Sequence, residues 1–213
     1  MQPPESAPVG VTRQAYDQSA TTWHTAHRDE RRAVARADSY DRFVAVTRRD
    51  GLVLDLGCGS GRDGSELARR GFRLLGLDVS AGLLALARYE PALSGRLLLG
   101  EMRSLPVASG ALDGVWIDGS LHHLPKSEAM HALREAEPVL SSGGSCYLSV
   151  DRGAGERFVS NTDGVVGRRW YALYEPDELA TLCRAAGFTV AGRILGGPSP
   201  HSHGFIALFL RKR

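Results

Sequence analysis

Residues Val53 to Asp63, VLDLGCGSGRD, carry the pattern that most restricts the fold: a short apolar run passes directly into glycines at 57, 59 and 61 and then into a helix-forming segment. Glycine lets the backbone turn sharply, and it lets a ligand lie against the peptide chain beside the free N–H groups of a helix start. From Gly51 onward short apolar runs alternate with amphipathic segments. Strands are expected at Leu52 to Leu56, Arg73 to Leu77, Arg96 to Leu99, Gly114 to Ile117, Ser145 to Val150, Thr189 to Leu195 and Gly204 to Leu210. Helices are expected between them at Gly61 to Arg70, Ala81 to Tyr89, Ser127 to Leu140 and Pro176 to Ala186. Such alternation implies an α/β fold, a mostly parallel sheet with helices on both faces. Only GGPSPHSH separates the last two strands, too short for a helical crossover, so they should pair antiparallel.

The next question is which ligand the glycine loop takes. Gly59, Gly61 and Gly64 satisfy GxGxxG, the dinucleotide pattern. The apolar strand ends at Leu56, however, so the formal match starts two residues too late. Asp63 also puts a carboxylate in the first helical turn, where a pyrophosphate would sit; that charge repels phosphate and suits an ammonium or sulfonium. Asp78 closes LLGLD, 17 positions after Gly61, where a carboxylate can accept ribose hydroxyl bonds and repel a 2′-phosphate. Glu101, after the third strand, is a candidate for the adenine edge, with Met102 packing on the ring.

Through these segments the chain resembles the class I S-adenosylmethionine-dependent methyltransferases. The resemblance runs over roughly Leu52 to Phe188 and rests on DLGCGSGRD, GLDVS, LDGVWIDGSLHH, the VLSSGG turn and YEPDELATLCRAAGF. It implies a seven-stranded Rossmann-like sheet in the order 3-2-1-4-5-7-6 with an antiparallel last strand, and transfer of a methyl group from S-adenosylmethionine to a nucleophile. Position by position, it implies Gly57, Gly59 and Gly61 under the methionine portion, Asp55 near its amino group, Asp78 on the ribose, Val79 beside the adenine, and Glu101 with Met102 at the adenine edge. An Asp is commoner than Glu at position 101 in the family.

The loop WIDGSLHHLP leaves the fourth strand where the family places its reacting groups. Asp118 would hold the sulfonium side of the cofactor or the acceptor. His123 matches a recurrent His of an SLxHLP-like segment, and an imidazole can take a proton from an O or N nucleophile near neutral pH. The plainer alternative is that His123 packs under the cofactor and bonds backbone. Upstream, AYDQSATTW resembles the N-terminal helix that covers the cofactor, which puts Tyr16 against it and Trp23 near the acceptor; ordinary helix-face packing is the competing account.

The first ten residues hold three prolines and are expected to be a mobile lead-in, with 11–50 a helical cap and 51–213 the core of a single domain. In the second cap helix Val34, Ala37, Phe43, Val44 and Val46 supply an apolar face, with Asp29 and Glu30 at its start. Arg152 to Tyr171 reads as a long irregular loop, a length that is often functional. Arg168, Arg169, Trp170 and Tyr171, with His122, are its candidate contacts to an aromatic or anionic acceptor.

His201 and His203 have no acidic or Cys companion, so no metal site is expected. Cys58, Cys146 and Cys183 match no CxxC pattern, and the N-terminus has neither a basic start nor an apolar h-region, so a cytoplasmic protein is expected. Among 213 residues 43% are hydrophobic, enough for a sizeable core, and the net charge of +2 gives little field toward nucleic acid or a membrane. The acceptor is therefore expected to be a small molecule of secondary metabolism, methylated at an O or N atom by a monomer or homodimer. Two alternatives stand beside this. One is a tRNA-base or tRNA-modification methyltransferase with a basic stripe of Arg31, Arg32, Arg36, Arg48 and Arg49. The other is a non-catalytic S-adenosylmethionine sensor or activator subunit.

Overall fold

A computed structural model of the chain describes residues 7–27, 36–197 and 204–213. Two helices, α1 (Ala7–His27) and α2 (Ala37–Val46), precede an alternating core: β1 (Leu52–Leu56), α3 (Arg62–Arg69), β2 (Arg73–Asp78), α4 (Ala81–Ala87), β3 (Leu97–Leu99) and β4 (Leu112–Asp118). A short 3-10 turn at Leu121–His123 leads to α5 (Lys126–Val139) and β5 (Leu140–Asp151). Then come β6 (Glu156–Thr162), β7 (Val165–Ala172), α6 (Pro176–Ala185), β8 (Phe188–Leu195) and β9 (Phe205–Lys212).

Seven strands form one sheet in the order β3-β2-β1-β4-β5-β9-β8. Leaving out β6 and β7, this is the expected 3-2-1-4-5-7-6. The pairs from β3 to β5 are parallel, while β9 runs antiparallel to both β5 and β8.

Period-two alternation sorts the strand side chains between two cores. Val53, Leu74, Trp116, Tyr147 and Phe209 face Tyr40 and Phe43 of α2 and Leu67 of α3. Leu54, Leu56, Val115, Ile117, Leu148 and Leu208 face Leu133 of α5 and Leu179 of α6. Tyr40, Trp116 and Tyr147 form a continuous stack, with centroids 4.9 and 3.8 Å apart, and such pairs add about 0.5–1.5 kcal/mol each beyond simple burial. The stack fixes α2 over the carboxyl half of β4, next to the site.

Two expectations need correction. Residues 7–10, placed in a mobile lead-in, form the first turns of α1. Arg152 to Tyr171 is not irregular: β6 and β7 pair as an antiparallel hairpin separate from the main sheet. Asp163 and Gly164 take φ of 53° and 75° at its tip, the double positive φ that a tight hairpin turn requires. Asp29, Glu30 and Val34 lie outside the described residues, as do Arg31, Arg32, His201 and His203. No helix among the described residues is long and apolar enough to cross a membrane.

Candidate functional site

The site lies at the carboxyl ends of β1, β2 and β4, under α1 and the hairpin. Its floor is the glycine loop. Gly57 and Gly59 take φ of 82° and 55°, and the Gly57 and Cys58 N–H groups both donate to the Leu77 carbonyl, closing the loop onto β2. A Cβ on Gly57 would come within 2.3 Å of Ser120 Cβ, so the β4 loop packs directly on its backbone. At Gly59 the nearest side chain is the Trp23 indole, which approaches the bare backbone from above.

Asp78 ends β2 and is buried. Its Oδ2 accepts the Gly59 N–H and its Oδ1 the Ser80 N–H, both at 2.8 Å. Burial raises its carboxyl and these backbone donors oppose the shift. The Val79 N–H is a third backbone donor to the carboxylate, which leaves one of its roughly four acceptor positions.

The helix α1 is tied down at both ends of this floor. Asp17 Oδ1 accepts the Ser80 hydroxyl at 2.6 Å and the Gly82 N–H at 2.9 Å, holding α1 on the start of α4. His24 Nδ1 lies 2.8 Å from Ser60 Oγ. On its other flank Thr12 Oγ1 accepts the Trp170 N–H at 2.9 Å and Ser19 Oγ the Val166 N–H at 2.9 Å, both from β7. The helix is thus clamped between glycine loop and hairpin.

Two cavities result. The first is a cleft that opens over the glycine floor. It brings together Tyr16, Trp23, Gly57, Gly59 and Asp63 with Asp78, Val79, Glu101 and Met102, and is closed by Asp118 and His123. The second is more polar and holds His122, Tyr171, Arg36, Asp151, Asp163 and Arg169. The two share Tyr16, Trp23, Arg62, Asp118 and Gly119.

Several expected residues are placed differently. Gly61 and Asp55 lie outside both linings. Asp55 is buried beneath the loop with Oδ2 lacking a protein partner, and burial followed by the neighbouring Asp63 charge raises its carboxyl well above the ordinary range. Asp63 does not present a free charge. Burial alone would raise it, but Arg62, bonded at 2.7 and 3.1 Å, and the Tyr40 hydroxyl at 2.8 Å hold it well below the usual range. Glu101 borders the cleft with its carboxylate engaged by the buried Arg103, which also reaches Glu128 at 2.8 Å. Arg168 is exposed over the Phe158 ring, 4.0 Å from its centroid, and Trp170 packs on the same Phe158; neither lines a cavity.

The Asp118 side chain is 3% exposed and receives Arg36, Arg62 and the Ser149 hydroxyl. The sequence alone suggests a surface stripe for Arg36 and no site role for Arg62, Thr12 or Asp163. Residue type gave no signal for Thr12, whose role exists only once β7 reaches α1. At His123, Nδ1 lies 2.7 Å from the Trp170 carbonyl and Nε2 2.9 Å from Tyr16 Oη. Burial, then His122 and Arg169, lower its pKa well below 6.5; burial takes His122 to about 3.

Residues 53–144 match a family described as a methyltransferase domain. A protein of Encephalitozoon cuniculi, provisionally named a methyltransferase, is 33% identical over 159 residues, 67% of this chain and 72% of that one. The 18S rRNA (guanine-N7)-methyltransferase of Arabidopsis thaliana is 36% identical over 107 residues; the match takes in 48% of this chain and spans only 35% of that relative's length. The 1,6-didemethyltoxoflavin-N1-methyltransferase of Burkholderia thailandensis, solved with 1,6-didemethyltoxoflavin and S-adenosylhomocysteine, shares the fold. It superposes with a TM-score of 0.66 at 24% identity, over 100% of this chain and 93% of that one.

Proposed function

Because the chain belongs to the class I S-adenosylmethionine-dependent methyltransferase family, we propose that it is an enzyme that moves a methyl group from S-adenosylmethionine to an oxygen or nitrogen of a small molecule, in secondary metabolism. The observation that carries this reading is the meeting of two cavities at Tyr16, Trp23, Arg62 and Asp118.

The first cavity fits the cofactor. Its floor is the bare backbone of Gly57 and Gly59, Asp78 keeps acceptor capacity for a ribose hydroxyl, and Val79 and Met102 offer apolar flanks to an adenine. When bound, the cofactor supplies an electrophilic methyl group on a sulfonium. The residues of this chain align and desolvate: α1 covers the floor, and the Tyr16 and Trp23 rings can attract a sulfonium by their π faces. The second cavity suits an aromatic or anionic acceptor. The His122 and Tyr171 rings stand together, 4.9 Å between centroids, and Arg36, Arg62 and Arg169 face Asp118, Asp151 and Asp163.

The nucleic-acid reading finds less support. Of the three described members of the Arg stripe, Arg36 turns inward to Asp118 and Arg48 pairs with Asp113 at 3.6 Å. Labelled methyl transfer into a cell extract, counted separately for metabolites, RNA and protein, tests the proposal. Label in the small-molecule fraction is expected. Label confined to RNA overturns the acceptor class, and cofactor binding without transfer into any fraction favours a sensor or activator.

A further inference from the structure

We propose that Tyr16 is the group that takes the proton from the methyl acceptor, and that His123 receives that proton through the Tyr16 phenol. This rests on the reading that one cavity holds the cofactor and the other the acceptor.

The hydrogen-bond directions follow from donor chemistry. The Trp170 carbonyl can only accept, so His123 Nδ1, 2.7 Å away, carries the hydrogen. In the neutral ring Nε2 is then bare. Arg169 Nη1 lies 2.9 Å from Tyr16 Oη and a guanidinium can only donate, so the single phenol proton points to Nε2, also 2.9 Å away. A one-way chain results, from Arg169 through Tyr16 to His123. Thr12, one helical turn before Tyr16, holds the Trp170 N–H, so a single face of α1 carries the phenol and anchors the residue whose carbonyl sets the imidazole tautomer.

Position assigns the roles. Tyr16 borders both cavities, whereas among the described lining residues His123 borders only the first. An acceptor in the second cavity meets the phenol before the imidazole. Burial raises the Tyr16 phenol while Arg169 opposes the rise, so the phenol stays neutral and works as a relay rather than as a free-standing base.

In the step, the acceptor O–H or N–H proton moves to Tyr16 Oη as the Tyr16 proton moves to Nε2. The acceptor lone pair forms the bond to the methyl carbon, and the pair of the broken S–CH3 bond stays with sulfur. His123 ends as an imidazolium facing His122 on its own turn, Arg169 and Tyr171 on β7, Asp163 at the hairpin tip and Tyr16 on α1. Burial, then His122 and Arg169, disfavour that charge, so after the product leaves the proton passes back to Tyr16 Oη as the phenol releases its own to water entering the second cavity. The same surroundings keep the resting ring neutral, so the acid limb of the rate profile should fall well below pH 6.5.

The test has two arms. In ¹⁵N-histidine NMR of the ligand-free protein, His123 should show a protonated Nδ1 and a bare Nε2 at neutral pH, and Tyr16→Phe should shift the Nε2 resonance. In single turnovers with labelled S-adenosylmethionine and the small-molecule fraction of a cell extract, Tyr16→Phe and His123→Gln should each slow transfer about 100-fold, the scale of positioned proton transfer. The double variant should be no slower than either, and cofactor affinity should stay within about threefold. Arg88→Gln, exposed and outside both cavities, should match the wild type. Wild-type speed in Tyr16→Phe, or a protonated Nε2 at neutral pH, overturns the relay. A wild type that fails to bind S-adenosylmethionine sinks the functional reading instead, and the NMR arm still reports on the hydrogen-bond chain.

Discussion

The floor of the site and the lid above it are made from different kinds of sequence. In the floor, Asp78 bonds Gly59 and Ser80, 19 and 2 residues away, and the turn itself is three glycines inside one motif. In the lid, Tyr16 and His123 are 107 residues apart, Tyr16 and Arg169 153, and Thr12 and Trp170 158. The floor depends on backbone geometry that a short segment encodes. The lid exists only when α1, the β4 loop and the hairpin have all found one another, so changes there should alter acceptor chemistry while leaving the cofactor floor intact.

The sharpest way to break the comparison is through the floor. Gly57→Ala places a methyl at positive φ and against Ser120, and should cost about 3 kcal/mol of stability by denaturant unfolding. A loss near zero would mean that the β4 loop yields easily and that the floor is less rigid than its contacts imply. Asp78→Ala should weaken S-adenosylmethionine binding at least tenfold by calorimetry, about 1.4 kcal/mol; unchanged affinity removes Asp78 from the ribose.

Thr12→Ala probes the lid. It leaves the part-buried Trp170 N–H without its partner and should cost about 1 kcal/mol, while slowing transfer more than it weakens cofactor binding. Cofactor affinity falling in step with transfer would show that floor and lid are one unit.

The smallest effect concerns Asp55. Its raised carboxyl means that the folded chain holds a proton which the unfolded chain releases above about pH 4. Stability tied to this group is full below that pH and is lost as pH rises toward the raised value. Asp55→Asn should therefore flatten the decline of Tm with rising pH, and parallel curves for the two proteins would assign Asp55 an ordinary ionised state.

Sequence patterning placed the strands of the main sheet because each is a short apolar run with turn residues at its ends. It missed the β6–β7 hairpin, whose outer face is polar and whose burial pattern is discontinuous. The signal was present in Asp163–Gly164 between β-forming residues. Reading a strand there would also have split Arg168 and Trp170 from Arg169 and Tyr171, since alternate residues face opposite sides. The latter pair borders the second cavity. Asp63 misled for another reason: the charge was legible, but the Arg62 and Tyr40 partners that neutralise it were not.

By itself the sequence determined the alternating fold, the glycine turn and the carboxylate that follows it, because these depend on local backbone freedom and on periodic burial. Tertiary structure alone decided which polar groups are spent on one another and which are left facing a cavity. Asp118 is held by Arg36 and Arg62, Glu101 by Arg103, and Tyr16 by His123 and Arg169. Hydrogen bonds and charges act over a few ångströms, and the folded chain sets those distances, for Tyr16 between residues that the sequence keeps 107 and 153 positions apart.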